Sequence, residues 1–244
     1  MDENKIQKES LSYIKSHKKD LLDFFTQSET NVFETKTNFF MAGSPGAGKT
    51  EFVKKLRIIE DKDTIKPLHI DADTIRTEFL KEFYTPTNIE KNIHGNAQFL
   101  QEAATKGIEI LLDYCFKKKV LFILDVTMGG EFKTIEKNIM RCLSKDIEPV
   151  IFYLYQDPLL AWDYTKKREK IEGRNILKNN FIQQFFKSRE NVNLIKQKYK
   201  EKVILNLVIK NFLNQTEKYY PNIQNVDFYV KDDYNEDKLN RELK

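Results

Sequence analysis

The chain has 244 residues, of which 40% are hydrophobic and 32% are charged, and its formal net charge is +4. This composition is typical of a soluble globular protein rich in helix formers, and so small a charge excess does not indicate a nucleic-acid partner. No apolar run is long enough to span a membrane, and the N-terminus "MDENKIQKES" lacks the apolar core of a signal peptide, so we expect a cytoplasmic protein. Cys115 and Cys142 have no metal-ligand spacing and are predicted to be buried thiols.

In the N-terminal half, hydrophobic periodicity and turn residues predict helices and strands in alternation. An amphipathic helix is expected over 3–26 and a short strand over 38–42, followed by a glycine-rich loop and a helix that begins at "KTEF". The segment "IKPLHIDAD" is predicted as a second strand, and Asp73 or Thr74 is predicted to cap the helix after it. A long helical pattern then covers 88–118.

The C-terminal half continues this alternation. Buried parallel strands are predicted over 120–127 and 148–158, each followed by a helix, and another helix is predicted over 178–200. The pattern of "KVILNLVIKNF" fits either a strand or a continued helix. "NVDFYVKDD" is predicted as a last strand, and the charged tail after it as a helix or disorder.

This alternation predicts a three-layer α/β fold of the P-loop NTPase and kinase type, with a mostly parallel sheet and helices on both faces. We expect an N-terminal helical extension over 1–36, a kinase domain over 37–213, and a C-terminal strand and charged tail over 214–244 that pack on the same domain. In such sheets ligands bind beyond the carboxyl ends of the strands, so the polar residues at those ends are the candidates for a site.

The stretch "GSPGAGKT" after the first strand fits the phosphate-loop pattern G-x-x-x-x-G-K-S/T, also called Walker A. Its glycines allow backbone N–H groups to turn toward anionic oxygens, and the following helix adds its positive end. Lys49 is expected to reach the β- and γ-phosphates, and the Thr50 hydroxyl to ligate Mg²⁺. The residues predicted to bind the nucleotide are Gly43, Ser44, Pro45, Gly46, Ala47, Gly48, Lys49 and Thr50.

Carboxylates close the second and third strands. Asp71 and Asp73 in "HIDADTIR" lie where a carboxylate can accept the proton of an attacking hydroxyl, although a helix cap is the structural alternative for Asp73. Three roles stay open for Asp71: contact with the substrate, ligation of Mg²⁺, and support of Asp73. Asp125 ends the buried strand "VLFILDVT", which predicts a Walker B carboxylate that holds Mg²⁺.

A phosphate loop followed by a strand that ends in "HIDADTIR" resembles the zeta-toxin family of small kinases, to which the polynucleotide 5′-kinases are related. The resemblance covers residues 37–190. It implies that ATP and Mg²⁺ are used to phosphorylate the sugar 3′-hydroxyl of UDP-N-acetylglucosamine, a cell-wall precursor, with Asp73 as the general base. Asp125 and Thr127 match the acidic residue and threonine of the family's substrate site, whereas Gly129 replaces an arginine that helps to hold the substrate.

The basic segment "TKKREKIEGRN" follows the fourth strand, where small kinases carry a lid whose arginines neutralise the transferring phosphate. The resemblance implies this catalytic role for Arg168 and Arg174, with Arg189 as a reserve candidate. A solvated basic helix face is the structural alternative.

The sequence leaves four functional hypotheses, of which the last, a degenerate kinase that only binds a partner, is disfavoured by the intact loop and Asp73. The first is an ATP-dependent kinase that phosphorylates a small-molecule hydroxyl, and the second is a polynucleotide 5′-hydroxyl kinase, which the small net charge disfavours. The third is a nucleotide-dependent switch or NTPase without an acceptor. The chain has neither the N/T-K-x-D motif with which GTPases bind guanine nor the Glu that polarises water in motor ATPases, since Val126 follows Asp125. Both absences favour phosphate transfer over hydrolysis. If the resemblance is functional, a neutralising antitoxin is expected, and the N-terminal helix either packs on the sheet or blocks the ATP site in cis.

Overall fold

The computed structural model describes residues 3–26, 35–58, 67–86, 88, 91, 95–172, 175–213 and 215–244. The chain folds into two compact units, and both are discontinuous in sequence. The first comprises Met1–Glu34, Asp63–Phe122 and Lys166–Asn175, and the second comprises Thr35–Lys62, Ile123–Thr165 and Ile176–Lys244. The domain limits expected from the sequence stay a prediction.

Strands and helices alternate along the chain. The strands are β1 (Thr37–Ala42), β2 (Leu68–Asp71), β3 (Phe122–Asp125), β4 (Glu148–Tyr155), β5 (Ile204–Lys210) and β6 (Thr216–Tyr220). The α-helices are α1 (Glu3–Ser16), α2 (Lys18–Thr26), α3 (Lys49–Ile58), α4 (Ala72–Thr74), α5 (Gln101–Lys118), α6 (Phe132–Leu143), α7 (Pro158–Glu172), α8 (Lys178–Tyr199) and α9 (Glu236–Glu242). A π-helix covers Ile75–Phe79, and 3-10 turns cover Lys200–Lys202 and Val226–Phe228. Within the described ranges, none of these helices is both long enough and apolar enough to cross a bilayer.

The six-stranded, mostly parallel sheet confirms the predicted α/β fold. In the second unit, β1 pairs in parallel with β3 and β4, β4 pairs in parallel with β5, and β6 pairs antiparallel with β5. Met41 in β1 is opposite both Asp125 in β3 and Phe152 in β4. The carboxyl ends of these three strands therefore meet at one edge, where ligands bind in α/β sheets.

Helices cover both faces of this part of the sheet. Met41, Phe152 and Val208 pack with Ala47 of the loop and Val53 of α3 in one buried apolar cluster. Tyr153 follows Phe152 and hydrogen bonds with Ser188 of α8. Because successive residues of a strand point to opposite faces, α3 and α8 lie on opposite sides of the sheet.

In the first unit, α1 and α2 pack against α5. Gly107 of α5 allows a close approach: a Cβ atom there would lie 3.1 Å from Cδ1 of Ile75 and 3.3 Å from Cδ1 of Ile14. Tyr13 of α1 also packs near Phe79, with ring centroids 5.9 Å apart. The N-terminal helices therefore have a packing role within this unit, on α5 and, through α2, on β2.

Several helix limits differ from the sequence prediction. The helix expected over 3–26 is interrupted at His17, whose ring stacks on Tyr13. In the described part of the segment expected as a helix over 88–118, the α-helix covers Gln101–Lys118. Before it, Asn96 uses its side chain to bind the backbone N–H of Thr85 and the carbonyl of Phe83. The ambiguous segment before residue 211 is strand β5, and the charged tail forms α9.

The prediction of a last strand over 225–233 is wrong; the C-terminal strand is instead β6. Alternation would place Val226, Phe228 and Val230 on one face, but Phe228 is 69% exposed while both valines are buried. Asn225 accepts a hydrogen bond from the N–H of Asp227 at 2.6 Å and so closes a 3-10 turn. A side chain that bonds to its local backbone competes with strand formation.

Candidate active site

The phosphate loop lies in the second unit, between the end of β1 and the start of α3. The φ angles of Gly43, Gly46 and Gly48 are 130°, 75° and 79°. A Cβ atom at Gly43 would lie 2.3 Å from the carbonyl oxygen of Leu154, and one at Gly46 would lie 2.1 Å from that of Ala161. Both the backbone angles and the lack of space therefore require glycine at these two positions.

Lys49, the first residue of α3, folds its side chain back over the loop. Its Nζ donates to the carbonyl oxygens of Gly43 at 3.0 Å and Ser44 at 2.8 Å. The ammonium is thus held within the curve of backbone that binds nucleotide phosphates in loops of this kind. The N–H of Gly43 donates to the carbonyl of Thr127 at 3.1 Å, which ties the loop to the segment after β3.

Thr50 and Asp125, the predicted Mg²⁺ ligands, are in direct contact in the second unit. The Thr50 hydroxyl donates to Oδ2 of Asp125 at 3.1 Å. A hydroxyl and a carboxylate oxygen fit Mg²⁺, which takes few protein ligands and completes its octahedron with water and phosphate oxygens. No group of three or more His, Cys, Asp or Glu that could hold a metal is found in the described part of the chain.

Thr127, which was predicted to contact the substrate, organises the loop after β3. Its hydroxyl accepts a hydrogen bond from the N–H of Gly129 at 3.2 Å. On the other side of this loop, the Asn191 amide of α8 donates to the carbonyls of Met128 at 2.8 Å and Gly130 at 3.0 Å. The loop is therefore fixed against α8, and contact between Thr127 and a substrate stays a prediction.

Gly129 takes the place of the arginine in the zeta-toxin pattern, and packing accounts for the glycine. A Cβ atom at this position would lie 3.0 Å from Cα and 3.1 Å from Cβ of Gln184 in α8. Such distances are tighter than ordinary van der Waals contacts, so a longer side chain at residue 129 would push the loop away from α8.

In the first unit, Asp71 rather than Asp73 or Thr74 caps the helix after β2, which corrects the sequence prediction. Asp71 has extended backbone angles, and its Oδ1 accepts a hydrogen bond from the N–H of Thr74 at 2.7 Å. β2 ends at Asp71, so Asp73 already lies in the helical turn. The structure therefore gives Asp71 a part in supporting the turn that carries Asp73, and its contact with a substrate stays a prediction.

Asp73 is paired with two arginines of the first unit. Oδ1 accepts a hydrogen bond from Nη2 of Arg76, one helical turn later, and Oδ2 lies 3.9 Å from Nη2 of Arg168. Arg76 also donates through Nη1 to Oε1 of Gln101 at 2.5 Å. The carboxylate predicted to be the base and one arginine predicted to form the lid are therefore neighbours, although they are distant in sequence.

The other two lid candidates have different outcomes. Arg174 lies outside the described residues. Arg189, in the second unit, donates to Asp227 at 2.5 Å, to Asp232 at 3.0 Å and to the carbonyl of Val230 at 2.8 Å. Burial opposes its charge, but the hydrogen bond to Asp227 and the charge of Asp232 prevail and raise the pKa of Arg189. Arg189 therefore anchors the C-terminal segment and is not available as a lid residue.

The polar residues at the end of β4 also have structural partners. Asp157 caps α7 by accepting from the N–H of Leu159 at 3.0 Å, and its second oxygen accepts from the Tyr234 hydroxyl at 2.8 Å. Burial and this hydrogen bond raise the pKa of Tyr234, so the hydroxyl stays protonated and donates. Gln156 donates to the carbonyl of Asn211 at 2.7 Å.

Sequence reasoning missed Arg76 and Gln101. The spacing of three residues between Asp73 and Arg76 in a helical segment is a signal that could have identified the first, because such residues lie on one helix face. Gln101 had no such signal, because it meets Arg76 only through the packing of α5 beside the π-helix.

Sequence and structure comparisons identify the family and the fold. A family model described as "Zeta toxin" matches residues 23–224 of the chain. The match contains the phosphate loop, Asp73, Asp125 and the basic segment that ends α7. A search of curated protein sequences gives no match.

Solved structures show the same fold. A structure from the PezAT chromosomal toxin–antitoxin system of Streptococcus pneumoniae has a TM-score of 0.55 and 16% identity, over 85% of this chain and 80% of that chain. The AvrRxo1-ORF1:AvrRxo1-ORF2 structure with sulphate ions has a TM-score of 0.58 and 12% identity, over 94% of this chain and 72% of that chain. The structure of the same pair with ATP has a TM-score of 0.56 and 12% identity, over 86% and 64% of the two chains. At these identities the likeness shows the fold alone.

Proposed function

This chain belongs to the zeta-toxin family of P-loop kinases, and on that premise we propose that it transfers the γ-phosphate of ATP to a hydroxyl of a small-molecule acceptor. The first candidate acceptor is a nucleotide sugar such as UDP-N-acetylglucosamine. The observation that carries the proposal is the ion pair between Asp73 and Arg168, with 3.9 Å between Oδ2 and Nη2. A carboxylate can abstract the proton of an attacking hydroxyl, and an arginine can neutralise the transferring phosphate.

On the nucleotide side, the backbone N–H groups of the loop and the Lys49 ammonium bind the phosphates. Thr50 and Asp125 would hold Mg²⁺, which neutralises charge on the β- and γ-phosphate oxygens when it is bound. The ATP-bound AvrRxo1 structure, which has the same fold, supports the choice of ATP as phosphate donor.

On the acceptor side, Asp73 accepts the proton of the attacking hydroxyl. The hydroxyl oxygen forms a bond to the γ-phosphorus, the bond from that phosphorus to the β–γ bridging oxygen breaks, and ADP leaves. Charge that spreads over the γ-phosphoryl oxygens is neutralised by Lys49 and Arg168. The proton on Asp73 then passes to solvent.

The test is an assay of ATP consumption and product formation with UDP-N-acetylglucosamine, related nucleotide sugars and 5′-hydroxyl oligonucleotides. Asp73→Asn is the key variant, because it keeps the shape of the side chain and removes the base. We expect the variant to bind ATP as the wild type does and to lose transfer by about 10²- to 10⁴-fold.

Each outcome selects one hypothesis. A phosphorylated nucleotide sugar that disappears with Asp73→Asn supports the proposal, in spite of Gly129. A phosphorylated oligonucleotide would make the protein a polynucleotide kinase. ATP binding without any transfer, or full transfer by Asp73→Asn, would contradict the proposed reaction or the proposed base, respectively.

We also propose a neutralising protein partner. Membership of the family and the likeness to a structure from a toxin–antitoxin system support it. The expected result is that expression of the wild-type chain alone arrests bacterial growth while Asp73→Asn does not. Equal growth with both proteins would argue against a toxin.

A further inference from the structure

We propose that Arg76, oriented by Gln101, is a positioning residue that fixes the Asp73 carboxylate for proton abstraction. The inference rests on the proposed kinase reaction. It concerns a residue to which neither the phosphate-loop pattern nor the acidic motif assigns a role. Arg76 is only 5% exposed, and it uses different nitrogens for its two partners, Nη2 for Asp73 and Nη1 for Gln101. Because a guanidinium is a rigid plane, the hydrogen bond to Gln101 fixes the orientation of the nitrogen that binds Asp73.

The backbone around Arg76 fixes it in place. The π-helix Ile75–Phe79 begins two residues after Asp73, and the N–H of Leu80 donates to the carbonyl of Ile75 at 2.9 Å. The Thr77 hydroxyl adds a bond to the Asp73 carbonyl at 3.0 Å. Wide helical turns of this kind are rare and occur often at functional sites.

The exposures of the three side chains indicate a division of roles. The Arg76 side chain is 6% exposed, that of Asp73 is 34% exposed and that of Arg168 is 35% exposed. One oxygen of Asp73 is bound by a buried guanidinium, and the carboxylate still reaches solvent. Arg76 is therefore the fixed partner of Asp73, and Arg168 is the partner that can move to a phosphate.

Gln101 completes the arrangement from α5. Its Oε1 accepts from Arg76 at 2.5 Å, and its Nε2 donates to the Thr105 hydroxyl at 3.3 Å, one turn further along the helix. Gln101 is exposed, so it can be changed without opening a cavity in the core. Loss of Gln101 would leave the charge of Arg76 beside Asp73 and remove only the hydrogen bond that orients the Arg76 guanidinium.

The experiment compares Arg76→Lys and Gln101→Met with Glu109→Gln, an exposed residue of the same helix, as the matched control. We measure kcat and KM for ATP with UDP-N-acetylglucosamine as acceptor and also with water as acceptor, together with ATP binding and the midpoint of thermal unfolding. Arg76→Lys should lower kcat by about 10- to 100-fold, since a displacement of about 1 Å in a reacting group can cost this much. Gln101→Met should lower kcat by about 3- to 10-fold, with ATP binding and thermal midpoint unchanged. Glu109→Gln should match the wild type.

Wild-type kcat in Gln101→Met, or a loss of kcat accompanied by equal losses of ATP binding and thermal midpoint, would overturn the positioning role. If Arg76→Lys fails to fold, Gln101→Met decides the question alone. Asp73→Asn in the same assays separates this inference from its premise. An active Asp73→Asn contradicts the proposed base, whereas an inactive Asp73→Asn beside a fully active Gln101→Met contradicts only the positioning by Arg76 and Gln101.

Discussion

The phosphate loop of the second unit and the group of side chains around Asp73 in the first unit, called here the Asp73 cluster, are built in different ways. In the loop, backbone shape prevails: Gly43 and Gly46 have positive φ angles and no space for a Cβ atom, and Lys49 bonds to two loop carbonyls. The Asp73 cluster consists of Asp73, Arg76, Gln101 and Arg168. Side-chain contacts hold it together, and they join segments that are far apart in sequence. The loop should therefore be sensitive to changes of shape as well as charge, and the cluster mainly to changes of charge and direction.

In the comparison of the two regions, the first and larger effect is expected from the charge in the loop. Lys49→Met keeps the length and apolar stem of the side chain and removes the ammonium that we propose binds the β- and γ-phosphates. Transfer should fall by about 10³-fold, as it does when a preorganised donor to a developing negative charge is lost. Steady-state kinetics and calorimetric ATP binding measure the change. Lys55→Met, in the same helix, is the control, and equal losses in both variants would show that the effect is not specific to the loop.

The next variant tests the role of charge in the Asp73 cluster. Arg168→Gln removes the partner of Asp73 whose side chain is 35% exposed, and kcat should fall by about 10²-fold while KM for ATP changes little. Lys167→Gln, the adjacent cation, should have almost no effect.

The comparison becomes sharper if Arg174→Gln is measured beside Arg168→Gln. If only Arg174→Gln lowers kcat, Arg168 is a surface partner of Asp73 and the lid role belongs to Arg174. Comparable losses in both variants would support the pair of lid arginines that the resemblance implies.

The different construction of the two regions also explains how much the sequence could predict. The loop is a local pattern, so eight consecutive residues were enough to identify it, and the strand before it and the helix after it are confirmed. Thr50 and Asp125 were each predicted to ligate Mg²⁺, and their direct contact agrees with the rule that parallel strands end at one edge of the sheet. Side-chain direction was harder to predict: Asp71 caps the helix where Asp73 or Thr74 was expected to, and Gln101 reaches Arg76 only through tertiary packing.

The C-terminal region shows the same limit. "NVDFYVKDD" alternates as a strand would, but Asn225 closes a turn, and Asp227 and Asp232 bind Arg189 of α8. Local hydrogen bonds and one distant arginine therefore determine the structure there, and neither can be read from periodicity. The same contacts removed Arg189 from the lid candidates.

A smaller effect is expected from the shape of the loop alone. Gly46→Ala must adopt a positive φ angle, which costs about 1–2 kcal/mol, and its Cβ atom would meet the carbonyl of Ala161. ATP affinity should fall by about 10- to 30-fold with the charges unchanged. Gly130→Ala is the matched control, because a Cβ atom there would have nothing within 4 Å. Equal ATP affinities in the two variants would contradict a loop that depends on its backbone shape.

The smallest effect on transfer is expected at Cys142, which lies in the same unit as the phosphate loop but belongs neither to the loop nor to the Asp73 cluster. Burial raises the pKa of this thiol to about 12, against smaller opposing contributions from Asn38 and Arg141. Cys142→Ala should change kcat by less than about twofold, since surface and site charges stay the same. Iodoacetamide should leave Cys142 unmodified in the folded protein at pH 8, because the reactive form is the thiolate.

The raised pKa also gives a sign for the pH dependence of stability. In the unfolded chain a thiol titrates near its ordinary pKa of about 8.5, so between about pH 8.5 and 12 the folded state binds more protons than the unfolded state. The contribution of Cys142 to the free energy of unfolding is therefore complete below this range and is lost as the pH rises through it. Urea unfolding at pH 7 and pH 10 should show a larger loss of stability for the wild type than for Cys142→Ala. Equal losses would mean that the thiol is accessible to water in the folded state.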